Sequence, residues 1–195
     1  YKSEITKEYF LNYEAMNNDF TIKLGQPNEI VFHSGHNEDD WEVTLADTGI
    51  KTMTGARVKK IKKYINEGEK FMLTYGDGVA DIDLNKLLEF HNEQKKITTV
   101  TGVHAPSRFG KLISNGSIVI QFSEKSIVSD GYVSGGFFVF DYRFFDYLSD
   151  NENCVLEHEP LENLAKEKEL SVYNHKGFWQ CMDTYRDHQF LEERW

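Results

Sequence analysis

Apolar residues recur along the chain in two rhythms, one every second position and one every third or fourth, and these set the expected elements. Ile5, Tyr9 and Tyr13 repeat at four, so a helix capped by Ser3 is expected at the start. Residues 20–24 alternate as a strand, and so do residues 41–45, closed by Asp47-Thr-Gly49. Between them residues 26–40 are polar, with Pro27, Gly35 and an Asn-Glu-Asp-Asp run, and read as a solvated excursion off the core.

The next helix carries Val58, Ile61 and Ile65 on one face, with Arg57, Lys59, Lys60, Lys62 and Lys63 around it. Residues 71–75 are a continuous apolar run and read as a buried strand, followed by a helix with Leu84, Leu87 and Leu88 inward and Asp81 or Asp83 as its cap. Residues 97–103 are β-branched, and the strand, helix, strand order implies a parallel crossover. Asn115-Gly116 is a type I′ turn signal, so residues 112–122 are expected to fold as a hairpin. Ser134-Gly-Gly136 reads as a polar link whose backbone something must touch, ahead of an apolar strand at 137–140. Phe144, Phe145 and Leu148 suit a short helix. Pro160 opens another with Leu161, Leu164 and Ala165 inward. A strand at 170–173 and a final helix with Tyr185, Leu191 and Trp195 complete the chain.

The pattern predicts an α/β fold, a mostly parallel central sheet flanked by helices with a small β appendage carrying the hairpin. At 195 residues a single domain is expected, and the chain reads as an N-terminally truncated stretch of a longer protein. A net charge of −10 argues against a general nucleic-acid or anionic-membrane binder, and no apolar run is long enough to span a bilayer. Two cysteines, Cys154 and Cys181, without CxxC spacing fit a reduced, cytoplasmic protein.

The candidate chemistry centres on Gly-Asp77-Gly, where the apolar run stops and a carboxylate stands at a strand end, the place where open α/β sheets bind ligands. A carboxylate there can hold Mg²⁺ beside a phosphate. Read blandly, the same residues make a turn. Glu124-Lys125 and Asp183 occupy similar positions at the ends or entrances of elements, and Asp183 also suits an N-cap. His33 and His36, with Asp39 and Asp40 nearby, have metal-ligand spacing, for which a solvated loop is the competing reading.

Taken with their order, these features resemble the sugar-phosphate nucleotidyltransferases, with their acidic strand tip, Glu-Lys pair and later aspartate. The closer match is to the glucose-1-phosphate cytidylyltransferase branch. It rests on Trp41-x-Val-Thr-Leu-x-Asp-Thr-Gly49, Met53-Thr-Gly-x-Arg57, Thr74-Tyr-Gly-Asp-Gly-Val-Ala-Asp81, Arg108-Phe-Gly110, Gly135-Gly-Phe-Phe-Val139 and Phe178-Trp-Gln-x-Met-Asp-Thr-x-Arg-Asp187. Two features depart from the family pattern: the glycine-rich nucleotide loop of its first β-α unit is not in this sequence, and Ser126 stands where proline usually follows the Glu-Lys pair.

The resemblance implies a Rossmann-like nucleotidyltransferase that converts CTP and α-D-glucose 1-phosphate to CDP-glucose and pyrophosphate. It implies that Asp77 and Asp183 hold Mg²⁺ and that Glu124 takes sugar hydroxyls. Lys125 takes the sugar phosphate, the backbone at Gly135 and Gly136 approaches the sugar, and Thr54, Gly55 and Arg57 face the nucleotide. It further implies a homo-oligomer that makes nucleotide-activated sugars for lipopolysaccharide and O-antigen. Two other readings stay open. One is a metal-dependent glycosyltransferase using Asp81-Ile-Asp83; the other is a non-catalytic sugar-phosphate or nucleotide-binding module.

Overall fold

The computed structural model describes residues 2–33, 35, 37, 38, 40–104, 111–115, 118–123 and 131–194, with only the backbone at 27, 28, 111–115 and 118–123. These fall into two units, Tyr1–Ile50 and Lys51–Trp195.

In the first unit, helices α1 (Ser3–Leu11) and α2 (Tyr13–Asn17) precede strands β1 (Phe20–Lys23) and β2 (Gln26–Phe32). Ser3 is not the cap. Lys2 holds the N-cap position in a left-handed conformation without a side-chain capping bond, and Ser3 is already helical. Asn12 then divides the expected helix, its backbone N–H and its Nδ2 both donating to the Glu8 carbonyl at 3.0 and 2.8 Å. Residues 26–32 are a strand, contrary to the solvated excursion expected from their polar start. Ile30, Val31 and Phe32 pair with Ile22, Thr21 and Phe20, so a β-branched and aromatic partner outweighs the turn residues before it. Conversely, residues 41–45 lie in no sheet despite their alternation, and Trp41 is 70% exposed. Alternation marks a chain able to form a strand; the ladder still needs an edge from elsewhere.

The second unit carries α3 (Thr54–Lys60), continued by a 3₁₀ turn at Ile61–Tyr64, then β3 (Lys70–Thr74), β4 (Gly78–Ala80), α4 (Leu84–Gln94) and β5 (Thr98–Val103). The hairpin β6 (Lys111–Asn115) and β7 (Ile118–Ser123) follows, then β8 (Val133–Asp141) with a 3₁₀ turn at Tyr142–Tyr147. α5 (Glu159–Lys166), β9 (Leu170–Asn174), β10 (Trp179–Cys181) and α6 (Tyr185–Arg194) end the described chain. The hairpin forms as expected, closed by the Asn115–Ile118 pair, while Gly116 lies outside the described residues.

Four strands make the main sheet in the order β3-β8-β5-β9. β8 is antiparallel to both neighbours and β9 is parallel to β5, so three strands share one direction and the sheet is mixed. The chain leaves β3, passes through α4 and returns along β5 in the same direction, with β8 inserted between them. That central place explains the apolar run of β8: Phe138, Val139 and Phe140 are each at most 1% exposed, because the strand is covered on both faces. β3 sits at the sheet edge and buries one face only, with Phe71 inside and Met72 42% exposed.

An aromatic stack fills one side of the sheet. Phe71 lies 5.2 Å from Phe140 and 5.1 Å from Phe145, and Phe140 lies 4.1 Å from Phe144, all with the rings stacked. Val58, Ile97, Leu148, Leu156 and Leu164 close this core. Among the apolar helix positions named from periodicity, Leu84 is 50% exposed, Tyr185 is 76% exposed and Ala165 is exposed; each stands at or next to a helix end. Trp195 lies outside the described residues. His91, at 1% exposure, takes a buried place on α4 that apolar periodicity passes over.

Candidate active site

The turn after β3 and the end of β10 meet through a short ladder. β4 pairs with β10 in antiparallel register, Ala80 with Trp179, Val79 with Gln180 and Gly78 with Cys181. The ladder runs one rung further, because Met182 donates its backbone N–H to the Asp77 carbonyl at 2.8 Å. Asp77 and Asp183, far apart in sequence, therefore stand one residue apart on facing segments, and both are exposed. Neither flanking glycine of Gly-Asp-Gly has a positive φ, so the turn does not depend on glycine conformations. A β-carbon at Gly76 would meet nothing within 4 Å, and one at Gly78 would make only ordinary contact, 3.6 Å from the Gly135 carbonyl oxygen.

Asp183 is not the N-cap of α6. Thr184 and Asp187 form the cap reciprocally: the Asp187 N–H donates to Thr184 Oγ1 at 3.2 Å, and the Thr184 N–H donates to Asp187 Oδ2 at 2.9 Å. The Asp183 carboxylate receives the Cys181 thiol, Sγ to Oδ2 3.4 Å. Asp83 is the cap of α4, accepting from the Lys86 N–H at 3.1 Å, and that bond with the Lys86 side chain holds its carboxyl below the usual range. Asp81, the other aspartate expected to cap, instead meets His175, Nε2 to Oδ1 2.9 Å, and its backbone N–H donates to the Phe178 carbonyl at 3.2 Å. Both members of Asp81-Ile-Asp83 thus have protein partners.

Gly135 and Gly136 lie inside β8 rather than in a link before it. Between the pairs Val100–Phe138 and Gly102–Ser134 the register shifts, and the two glycines sit in that bulge. A β-carbon on Gly135 would come 2.8 Å from Val103 Cγ1 and 3.2 Å from the Thr101 carbonyl oxygen. Gly136 has φ +78°, and a β-carbon there would stand 2.8 Å from Tyr75 Cδ2. The backbone is indeed touched, and by the protein itself: the Gly136 carbonyl accepts from the Tyr75 N–H at 3.1 Å and the Gly135 carbonyl from Trp179 Nε1–H at 2.8 Å.

Thr54 opens α3 and is bound from two sides. Its hydroxyl donates to Glu157 Oε2 at 2.8 Å and accepts from the Leu156 N–H at 2.9 Å. Gly55 is demanded by packing, since a β-carbon would meet Cys154 Sγ at 2.8 Å. Arg57, the fourth residue of α3, is half-buried. The other oxygen of Glu157 accepts from the Tyr75 hydroxyl, and burial together with that bond raises the Tyr75 phenol well above its ordinary range. Glu157 thus joins Thr54 to Tyr75, whose ring lies against Gly136, while Trp179 joins Gly135 to the strand that leads to Asp183. Glu157, Tyr75 and Trp179 tie these segments together, contacts that sequence reasoning did not assign. A lone glutamate before a helix carries no local signal, whereas a tyrosine closing an apolar strand beside Gly-Asp-Gly does.

Glu124, Lys125 and Arg108 lie outside the described residues, as do His36 and Asp39 of the histidine pair. His33 is hydrogen-bonded to Thr21, Nε2 to Oγ1 2.7 Å, and no cluster of three metal-ligating side chains occurs among the described residues. Two exposed carboxylates on a hydrogen-bonded ladder nevertheless suit Mg²⁺, which takes one or two carboxylates and completes its shell with water and substrate phosphates. No helix among the described residues is long and apolar enough to cross a membrane.

Comparison with known proteins gives one family. The nucleotidyl transferase family model matches residues 10–185. The chain is 41% identical over 195 residues to the glucose-1-phosphate cytidylyltransferase of Salmonella typhimurium, and equally to that of Salmonella typhi, covering 100% of this chain and 75% of each relative. Among solved structures, HddC from Yersinia pseudotuberculosis superposes with a TM-score of 0.53 at 20% identity, covering 73% of this chain and 62% of that one. At that identity the likeness is one of fold.

Proposed function

The chain belongs to the nucleotidyl transferase family, and from that premise we propose that it acts as a glucose-1-phosphate cytidylyltransferase, converting CTP and α-D-glucose 1-phosphate to CDP-glucose and pyrophosphate. The identity of 41% to cytidylyltransferases along the whole chain supports the substrate pair. The observation that supports the site is the Met182–Asp77 rung, which brings the backbone of Asp77 and that of Asp183 onto facing segments, one residue out of register, in the turn after β3.

A phosphate oxygen of the sugar phosphate attacks the α-phosphorus of CTP in line. The new P–O bond forms as the bond to the β-phosphate oxygen breaks, and pyrophosphate leaves with that electron pair. No covalent enzyme intermediate is needed, so the protein contributes positioning and charge neutralisation. Asp77 and Asp183 are the residues that would hold Mg²⁺, which when bound neutralises charge on the phosphate oxygens. The bulge at Gly135 and Gly136 offers backbone close to the sugar, Glu124 a carboxylate for its hydroxyls and Lys125 a cation for its phosphate. Thr54, Gly55 and Arg57 face the nucleotide from the start of α3, where a helix N-terminus favours anions. The partnered state of Asp81 and Asp83 weighs against a glycosyltransferase that would need both for a metal. We place the protein in the cytoplasm as a homo-oligomer, on the strength of its cysteine usage and of the family resemblance.

The test is a pyrophosphate-release assay with glucose 1-phosphate, Mg²⁺ and each of CTP, UTP, dTTP and ATP. CTP-selective release supports the reading. Binding of glucose 1-phosphate without release under any nucleotide would replace it with a non-catalytic binding module.

A further inference from the structure

Lys70 begins β3 and Asp77 follows its far end, so the strand separates the site above from a second one. There the start of β3, the last turn of α4 and the end of β8 enclose a cavity of about 210 Å³, lined by Lys70, His91, Lys95, Lys96, Asp141 and Arg143 among others. Two of its four cations are ion-paired, Arg143 Nε with Asp141 Oδ1 at 2.8 Å and Lys96 Nζ with Glu169 Oε1 at 3.5 Å. Among the described residues neither Lys70 nor Lys95 is within ion-pair distance of a carboxylate, although Asp141, already paired with Arg143, stands across the ladder from Lys70. The carbonyl end of α4 also points here, but a helix terminus carries only roughly half an elementary charge, so a positive surplus remains.

The floor of the cavity is a fixed histidine. His91 is 1% exposed, and its Nδ1 lies 2.9 Å from Thr99 Oγ1. Thr99 Oγ1 lies 2.8 Å from Ser171 Oγ, which donates to the Thr98 carbonyl at 3.3 Å. That carbonyl can only accept, so Ser171 must accept from Thr99, and Thr99 from His91 Nδ1–H. The relay leaves Nε2 as the free edge of the ring, with no hydrogen bond among the described residues. A neutral imidazole offers a lone pair there; a protonated one offers an N–H.

We propose that this cavity is a binding site for a small tetrahedral oxyanion of the phosphate type, held by Lys70 and Lys95 and by an Nε2–H donated from His91. Without a ligand, burial and then the Lys70 charge hold the imidazole below its usual pKa, Arg143 adding to this and Asp141 opposing it. Lys95, Lys96 and Glu169 complete the charged groups around it. A bound dianion favours the imidazolium, so binding takes up a proton and tightens as pH falls.

Sulfate is the probe, because it stays a dianion across the range and any pH dependence belongs to the protein. The titration follows the His91 ring ¹⁵N resonances at constant ionic strength balanced with chloride. Saturable movement of the Nε2 resonance toward the protonated position, with tighter binding at pH 6 than at pH 7.5, is expected. The double variant Lys70→Gln, Lys95→Asn alters two exposed side chains and keeps a residue that tolerates the left-handed conformation at position 95. It should weaken sulfate at least about tenfold, the order of one charge-assisted hydrogen bond. Inorganic phosphate and methyl phosphate in parallel distinguish a site for the free ion from one that admits a phosphate monoester. Equal responses to sulfate and chloride, or unchanged affinity in the double variant, would overturn the proposal. The readout is local to His91 and does not depend on the catalytic reading.

Discussion

Met182 donates its backbone N–H to the carbonyl oxygen of Asp77 at 2.8 Å, extending the β4–β10 ladder by one rung beyond Cys181 and Gly78. Through that bond the position of Asp183 depends on the turn that carries Asp77. The two carboxylates are set by one piece of backbone geometry rather than by two independent loops.

Asp77→Asn and Asp183→Asn should each lower pyrophosphate release by about a hundredfold or more, the scale of losing a group that neutralises charge in the transition state. Both side chains are exposed, so urea denaturation should place each variant within about 0.5 kcal/mol of the parent. Full turnover in either would remove that aspartate from the site.

Trp179→Phe deletes the donor to the Gly135 carbonyl, a part-buried bond of 2.8 Å. A loss of about 1 kcal/mol is expected in chemical denaturation. In kinetics the KM for glucose 1-phosphate should rise more than that for CTP; the opposite split would separate the bulge from the sugar.

Gly136→Ala combines a positive φ with a contact of 2.8 Å to the Tyr75 ring and should cost about 1–3 kcal/mol. Gly76→Ala meets nothing within 4 Å and should leave stability within about 0.5 kcal/mol. If a ligand approaches the backbone at Gly76, the same change weakens nucleotide binding, measured by calorimetry. Unchanged affinity would mean that this glycine serves neither packing nor ligand.

Stability in chloride buffers should fall as pH drops below about 6.5, the unperturbed histidine value. Burial depresses the folded pKa of His91, so the unfolded chain takes up the proton first, and the contribution present above that value is lost toward the folded pKa. Asp141 extends the loss to lower pH. Its burial alone would raise it, but the Arg143 side-chain and backbone hydrogen bonds outweigh that and hold it below the usual carboxylate value. Denaturation curves from pH 8 to 5 check the slope, and His91→Gln should flatten its upper part.

Local rules made much of this protein legible before any coordinates. The run from Phe71, the β-branched residues 98–103, the hairpin around Asn115 and the amphipathic face with Val58 and Leu87 each follow from side-chain period and turn chemistry, which act between near neighbours. The long motifs carried the family, and with it the candidate aspartates. What those rules missed depends on partners distant in the chain. Residues 41–45 alternate and yet join no sheet, whereas residues 26–32 look like loop and pair with β1, because a ladder needs an available edge. Asp81 and Asp83 were equivalent as caps until Asp83 met the Lys86 N–H and Asp81 met His175. The glycines at 135 and 136 announced a crowded backbone, but only the tertiary structure showed that Val103, Tyr75 and Trp179 crowd it. In the same way the pattern marked Asp77 and Asp183 separately, and the antiparallel pairing of β4 with β10 brought their backbones onto facing segments, since hydrogen-bond register between distant strands is decided by the packing of the whole unit.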